Sequence, residues 1–413
     1  MTDLRARLAR LGYKEDCTAV PAPPEPRFPP IDQLVEGGRV CTPHGDCFVA
    51  ERYHPAGHPH GSLRLEEALE IDPRVLPWLG RSPELAGLDL TRAVFVDTET
   101  TGLAGGTGTY AFLVGLGHFD GPRFVVRQLF MEDYGGEEAL LHTLAEVLAP
   151  FSAVVTFNGR VFDLPLLETR FLMSRRPFPL RGALHLDLLF PARRLWKERL
   201  ESCALSNLES EILGVEREDD VPGWMIPSLY FDYLRSGDPR PLVRVFEHNR
   251  LDILSMATLL ARLARQHSDP FNPEWEHCQD LFSLGTVFEG LGLSERAAQC
   301  YERAVALAPR GELRAKAMVR LGNLYKRLQQ RQDAAAIWRA LASSGHAYTT
   351  FAYVEMAKHH EHVTREYLEA ERLTLQALAA LELRAVRGGG WQVEQERRDL
   401  EHRLARIRRK MAR

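Results

Sequence analysis

A chain of 413 residues, 45% hydrophobic and 26% charged, has a globular composition and enough length for two or three domains with full cores. Its net charge of −4 excludes a protein that coats nucleic acid as a polycation, so any nucleic-acid site must be a local patch. Six scattered cysteines with no C-x-x-C read as reduced thiols of a cytoplasmic protein, and the longest strongly apolar run, near YAFLVGLG, is too short to span a bilayer.

Residues 1–88 read as an N-terminal extension. MTDLRARLARLGYKED is amphipathic and Arg-rich but lacks the apolar segment of a secretory signal. PAPPEPRFPP is a stiff extended linker. RVCTPHGDCFVAERY predicts a β-hairpin turning at Pro43–Asp46. Cys41, His44 and Cys47, with His54, His58 and His60 nearby, fit the spacing of no common zinc module.

Residues 89–268 alternate strands and helices. AVFVD, TYAFLVGLGHF and RFVVRQLFM predict three strands, the last two joined by a tight turn at Asp120–Pro122, hence an antiparallel meander. A helix (GEEALLHTLAEVLA), an apolar strand (AVVTF) and a second helix (FDLPLLETRFLM) follow. This is the element order of an α/β ribonuclease H-like domain with a mixed sheet. QHSDPFNPEW then predicts a linker, so a chain ending near Ser268 is expected to fold on its own.

Residues 275–383 are all-helical and repetitive. Leu284, Gly285, Phe288, Gly292, Ala297, Tyr301, Ala304 and Pro309 fall on tetratricopeptide spacing, and a second copy begins at Leu321-Gly322. Residues 384–413 predict a charged helix that caps the array.

The chemistry gathers in three places. Side chains alternate along a strand, so Asp97 and Glu99 in VFVDTETTGL share a face while Thr98 points away. A lone D-x-E is most often a solvated strand end. Two more acids alter that reading: Asp163 opens a helix just after an apolar strand, and Asp252 lies one helical turn beyond His248. Asn158 reads as a turn or cap residue and Phe162 as packing beneath the acid. Four carboxylates repel one another unless cations offset them, and all-oxygen ligation suits two ions of Mg²⁺ or Mn²⁺. From Arg160 to Arg199 nine Arg or Lys face four acids, an excess that can neutralise phosphates.

D-x-E ending a first strand, N-x-x-x-F-D after a later one and H-x-x-x-D in a final helix resemble the three motifs of the DEDD exonuclease superfamily. TETTGLAGGTGTYAFLVGLG, FNGRVFDLPLLETR, VPGWMIPSLYFDYLRSGDPRPL and HNRLDILSMA resemble the bacterial YprB-type family, which also carries C-terminal tetratricopeptide repeats. The resemblance implies a metal-dependent 3′–5′ exonuclease acting in DNA-damage repair with a partner helicase. It implies that Asp97 bridges both ions, that Glu99 and Asp252 complete the first and that Asp163 holds the second. It implies that Thr100, Thr101, Gly102 and Leu103 lie against the terminal nucleotide, Gly102 permitting the turn; Asn158, Arg160 and Phe162 join them as candidate substrate contacts. His248 becomes the general base, although the common His-type members place it five residues before the last acid, where this chain has Glu247. Glu247, or water activated at the ions alone, stays open as an alternative, as do an RNA substrate in place of DNA and a repeat scaffold that only binds.

Overall fold

The computed structural model describes residues 28–102, 107–274, 276–345, 348–387 and 391–412. Strands β1 (Gly37–Thr42) and β2 (Gly45–His54) form the expected hairpin, and β3 (Pro59–His60) pairs with β4 (Leu63–Arg64). Helix α1 (Leu76–Gly80) leads into the meander β5 (Ala93–Thr100), β6 (Ala111–Asp120) and β7 (Arg123–Phe130). Then come α2 (Glu137–Leu148), β8 (Ala153–Thr156), α3 (Asp163–Met173), β9 (Leu184–Asp187), α4 (Leu189–Trp196), α5 (Leu205–Leu208), α6 (Ile226–Ser236) and α7 (Leu242–Ser268).

Seven strands make one sheet in the order β1-β2-β7-β6-β5-β8-β9. The meander is antiparallel, while β8 and β9 run parallel to β5. The chain is therefore a ribonuclease H-like domain with a mixed sheet. β2 pairs along the length of β7, so the sheet runs across the division expected at residues 88 and 89. None of Cys41, His44, Cys47, His54, His58 or His60 belongs to a metal-holding cluster among the described residues. Cys41 is exposed, Cys47 is buried, and His60 hydrogen-bonds the Ser255 hydroxyl at 2.7 Å.

Strand alternation divides the core. Val94 and Val96 face α2, α3 and α6, with Leu144, Phe171 and Tyr230 packed there. Phe95 and Val155 face α4 and most of α7, with Trp196, Ile253 and Leu260. Helix α7 lies close on the meander because β6 is cut back beneath it: a Cβ at Gly115 would overlap the Asn249 carboxamide, and one at Gly117 would overlap Ile253. That approach sets the height of His248 and Asp252 over β5.

The C-terminal region is all-helical: α8 (Cys278–Gly290), α9 (Ser294–Leu307), α10 (Glu312–Arg327), α11 (Arg331–Ala342), α12 (Thr349–His359), α13 (Tyr367–Arg387) and α14 (Trp391–Met411). Each packs on the next. Gly285 of α8 receives the Tyr301 ring of α9, and Gly322 of α10 receives Trp338 of α11 at the same spacing. Helix α13 runs through the division expected at residues 383 and 384.

Residues on the two sides of the division expected near Ser268 share one core. Leu284, Phe288 and Tyr301 belong to the same apolar cluster as Phe95, Trp196 and Leu260. Asp280, 1% exposed, pairs with Arg199 at 2.9 Å and takes a hydrogen bond from Gln266 at 3.2 Å. The Arg296 guanidinium donates to the Ser268 carbonyl at 2.8 Å and lies over Trp78 and Phe288. The linker joins two parts of one packed core rather than two separate bodies.

Candidate active site

Asp97 and Glu99 leave β5 on one face, as strand geometry requires, and both are half-buried. Asn249 of α7, wholly buried, donates to Asp97 Oδ2 at 2.8 Å. Its own carboxamide oxygen is held by Gln128 Nε2 at 2.8 Å, and the same nitrogen donates to the Phe246 carbonyl at 2.7 Å. Strands β5 and β7 are thus tied to α7 through one buried amide pair.

Asp163 opens α3 and is 8% exposed. Its Oδ1 accepts the Thr98 hydroxyl at 2.5 Å. Thr98 therefore does not simply turn away from the site; it holds the third acid. The loop before α3 is fixed by Asp187, whose carboxylate accepts the backbone N–H of Asn158 at 2.8 Å, Arg160 at 3.0 Å and Leu189 at 3.1 Å. Asn158 takes a left-handed φ of 66°, a conformation asparagine tolerates better than most residues. Phe162 does not pack beneath the acid: it is 53% exposed, beside Val161 at 59%.

Asp252 and His248 project from α7 toward these acids. His248 Nδ1 meets Asp220 Oδ1 at 2.8 Å, which turns Nε2 toward the carboxylates, 3.7 Å from Asp252 Oδ2. Glu247 is exposed and pairs with Arg250 at 2.9 Å, facing away from the cluster.

The electrostatics follow from confinement. Burial raises the Asp97 carboxyl well above the usual carboxylate range, and the charges of Asp252, Glu99 and Asp163 add to the effect against the Asn249 hydrogen bond. Glu99 is pushed up to about 8 by burial; His248 pulls it down, and Asp252, Asp163 and Asp220 add to the rise. Burial lifts Asp163 to about 6 despite the Thr98 hydrogen bond. Burial works to lower the His248 pKa, but Asp252, Glu99 and Asp220 outweigh it and raise it.

Among the described residues, no three carboxylate, imidazole or thiol groups close up to the spacing of one ion's ligand shell. The donor set still fits a hard divalent cation in its chemistry. It offers only carboxylate oxygens, and the burial and mutual repulsion that raise Asp97 and Glu99 are what a cation would offset.

The remaining expected contacts are mixed. The Thr100 hydroxyl donates to the Gly102 carbonyl at 2.9 Å, and the Thr101 hydroxyl accepts the Tyr110 N–H at 3.0 Å, so both serve the turn. Gly102 is not in the left-handed region, and among the described residues a Cβ there would meet only Thr109 at 4.0 Å. Leu103 lies outside the described residues. Within the basic stretch, Arg170 pairs with Glu137, Arg194 donates to the Leu79 carbonyl and Arg199 pairs with Asp280, so these three face inward. Arg160 is exposed.

Sequence reasoning missed Asn249, Asp187, Asp220 and Arg217. Arg217 contacts Glu209 at 2.5 Å, Asp220 at 3.1 Å and also Asp252. Asn249 left a signal: a polar residue on the helical face shared by Val245, Asp252 and Ile253. Asp187 and Arg217 left none, because their partners lie far along the chain or in an irregular loop.

The RNase_H superfamily model matches residues 94–264, the span that carries every one of these acids. A relative from Bacillus subtilis (strain 168), "Uncharacterized protein YprB", is 31% identical over 371 residues, covering 88% of this chain and 86% of its own length. The shared length includes the helical region as well as the sheet, and on that ground the chain belongs to the YprB family, with an RNase H superfamily domain at residues 94–264.

Proposed function

We propose that this chain is a metal-dependent 3′–5′ exonuclease acting on DNA. The observation that carries the reading is the burial of Asp97, Glu99 and Asp163 together, with the charges of Asp252, Glu99 and Asp163 adding to the rise at Asp97, in a domain whose superfamily is nuclease-like. Such an arrangement is unfavourable for folding and is expected where charge must be balanced by a ligand.

Asp97, Glu99, Asp163 and Asp252 would hold Mg²⁺ or Mn²⁺, two ions in all, which when bound supply positive charge to a phosphodiester under attack. His248 takes a proton at Nε2, with Asp220 on Nδ1 fixing the ring and favouring its charged form. Glu247 is a poorer base because Arg250 holds its carboxylate and lowers its pKa. The exposed rings and side chains of Phe162 and Val161 offer an apolar contact for a terminal base beside Asp163, and Arg160 a charge for its phosphate. Thr100, Thr101 and Gly102 shape the adjacent turn, with Asn158 holding the loop on the other side.

The helical region is proposed as a tetratricopeptide array closed by α14, and as the docking surface for a repair helicase in the cytoplasm. No helix among the described residues is long and apolar enough to cross a membrane.

The test is end-labelled single- and double-stranded DNA and RNA, incubated with the full chain in Mn²⁺ or EDTA. Release of 5′-mononucleotides from DNA 3′ ends in Mn²⁺, lost in EDTA and in Asp97→Ala, is expected. Cleavage of RNA alone, or activity that survives EDTA, overturns the reading.

A further inference from the structure

Arg217 is the most heavily engaged cation near the carboxylates. Its side chain is 8% exposed. One terminal nitrogen, Nη2, donates both to Glu209 Oε1 at 2.5 Å and to Asp252 Oδ1. The other, Nη1, donates to Asp220 Oδ2 at 3.1 Å and lies 3.3 Å from His248 Nδ1. Glu209, 1% exposed, also accepts the Ser255 hydroxyl, which meets His60 Nε2 at 2.7 Å. The guanidinium is thus anchored from behind by a buried acid and grips two groups of the front rank.

The grip divides Asp252. Oδ1 is held by Arg217, while Oδ2 faces His248 at 3.7 Å. A fixed positive charge on one oxygen has two opposite effects. It orients the carboxylate, and through Asp220 the imidazole, as a planar fork can and an ammonium cannot. It also competes with any cation that Asp252 would share with Asp97 and Glu99.

We propose that Arg217 is a positioning residue that trades divalent-ion affinity for order, holding Asp252 and His248 in the geometry of turnover while weakening the hold of the carboxylates on the ion. This rests on the nuclease reading above. A residue that merely props the fold would, when removed, lower stability, ion affinity and rate together. Arg217 is expected to move affinity and rate in opposite directions.

The experiment uses the full chain as wild type, Arg217→Gln, Arg217→Lys and the double variant Glu209→Gln/Arg217→Gln, which removes the buried pair together so that no orphaned charge unfolds the protein. Mn²⁺ binding is measured by calorimetry without substrate, rate on end-labelled DNA, and folding by thermal melt. Arg217→Gln is expected to bind Mn²⁺ roughly threefold to tenfold more tightly, from loss of a unit charge a few ångströms away. Its kcat is expected to fall roughly tenfold to a hundredfold, from loss of alignment. Arg217→Lys should keep wild-type ion affinity yet recover only part of the rate. The double variant should melt near wild type and still be slow. In an Asp252→Asn background the Arg217→Gln gain in affinity should vanish. Weaker or unchanged Mn²⁺ binding in Arg217→Gln, or an unchanged kcat, overturns the inference while leaving the nuclease reading intact. A wild-type chain that neither binds Mn²⁺ nor cleaves DNA overturns both.

Discussion

Asn249 and Gly115 form a matched pair: the absence of a side chain on one strand residue makes room for the carboxamide that holds Asp97 at 2.8 Å. The contact couples helix position to acid orientation. Gly115→Ala is expected to force α7 away from β6, costing about 1–3 kcal/mol by thermal melt. Activity should fall further than the stability loss accounts for, because Asp97 loses its donor. A variant as stable and active as wild type would show that the helix seats itself by other contacts.

On the proposed reading, removing Asp97, Asp163 or Asp252 should stop the reaction without unfolding the chain. Asp97→Ala, Asp163→Ala and Asp252→Ala are expected to abolish nucleolysis. Asp97→Ala should melt at or above the wild-type temperature in EDTA, since a buried repulsive charge has gone. Circular dichroism with an end-labelled DNA assay checks both parts.

The pH dependence has a definite sign. Glu99 has a folded pKa of about 8, above its ordinary value of 4.5. An acid raised in this way stabilises the fold relative to its ionised state only while protonated, so stability falls as pH rises from about 4.5 through 8. His54, His60 and His267 are depressed to about 4 by burial and act in the opposite direction below their ordinary value of 6.5. From pH 6.5 to 8.5 the depressed histidines are silent, while Asp97 and His248, both raised, act in the same direction as Glu99, so the difference between wild type and Glu99→Gln reports the Glu99 share. In EDTA the wild type should lose about 1–3 kcal/mol across that window and Glu99→Gln less. Added Mn²⁺ should remove the difference; equal slopes in EDTA would refute the assignment.

His248→Ala is expected to be slowed by about 10²–10⁴-fold, with a smaller change in DNA binding. Glu247→Gln should be near normal, because its carboxylate is exposed and paired with Arg250. The reverse ranking in single-turnover rates would move the base to Glu247.

A chain ending after Ser268 should be insoluble or melt far below the full chain. It strips Leu284, Phe288 and Tyr301 from a core that contains Phe95 and Trp196, and orphans Arg199 and Gln266. A cooperative melt at the wild-type temperature would contradict this.

Local pattern carried the parts of the fold that local physics determines. The meander was legible because Asp120–Pro122 leaves no room for a crossover, and the shared face of Asp97 and Glu99 because a strand has period two. What pattern could not carry was tertiary. Nothing in AVVTFNGRVFD says that Asp187, on the next strand, satisfies the loop, or that Thr98 reaches Asp163. The stretch VEREDDVP sets four acids around one arginine, and that arginine is the buried hub of three carboxylates. At QHSDPFNPEW, Pro and Asn mark turns without reporting that Leu284 and Phe288 beyond them pack into the same cluster as Trp196 and Leu260.

Helix α7 is one uninterrupted rod of 27 residues, about 40 Å from end to end. Its front half carries His248, Asn249 and Asp252, while Gln266 and Ser268 at its rear are gripped by Asp280 and Arg296 of the helical array. A load applied to that array is felt at the far tip as tilt or torsion of a stiff lever. A protein that docked there would have a mechanical handle on the angle at which Asp252 meets Asp97, with no need to approach the acids itself.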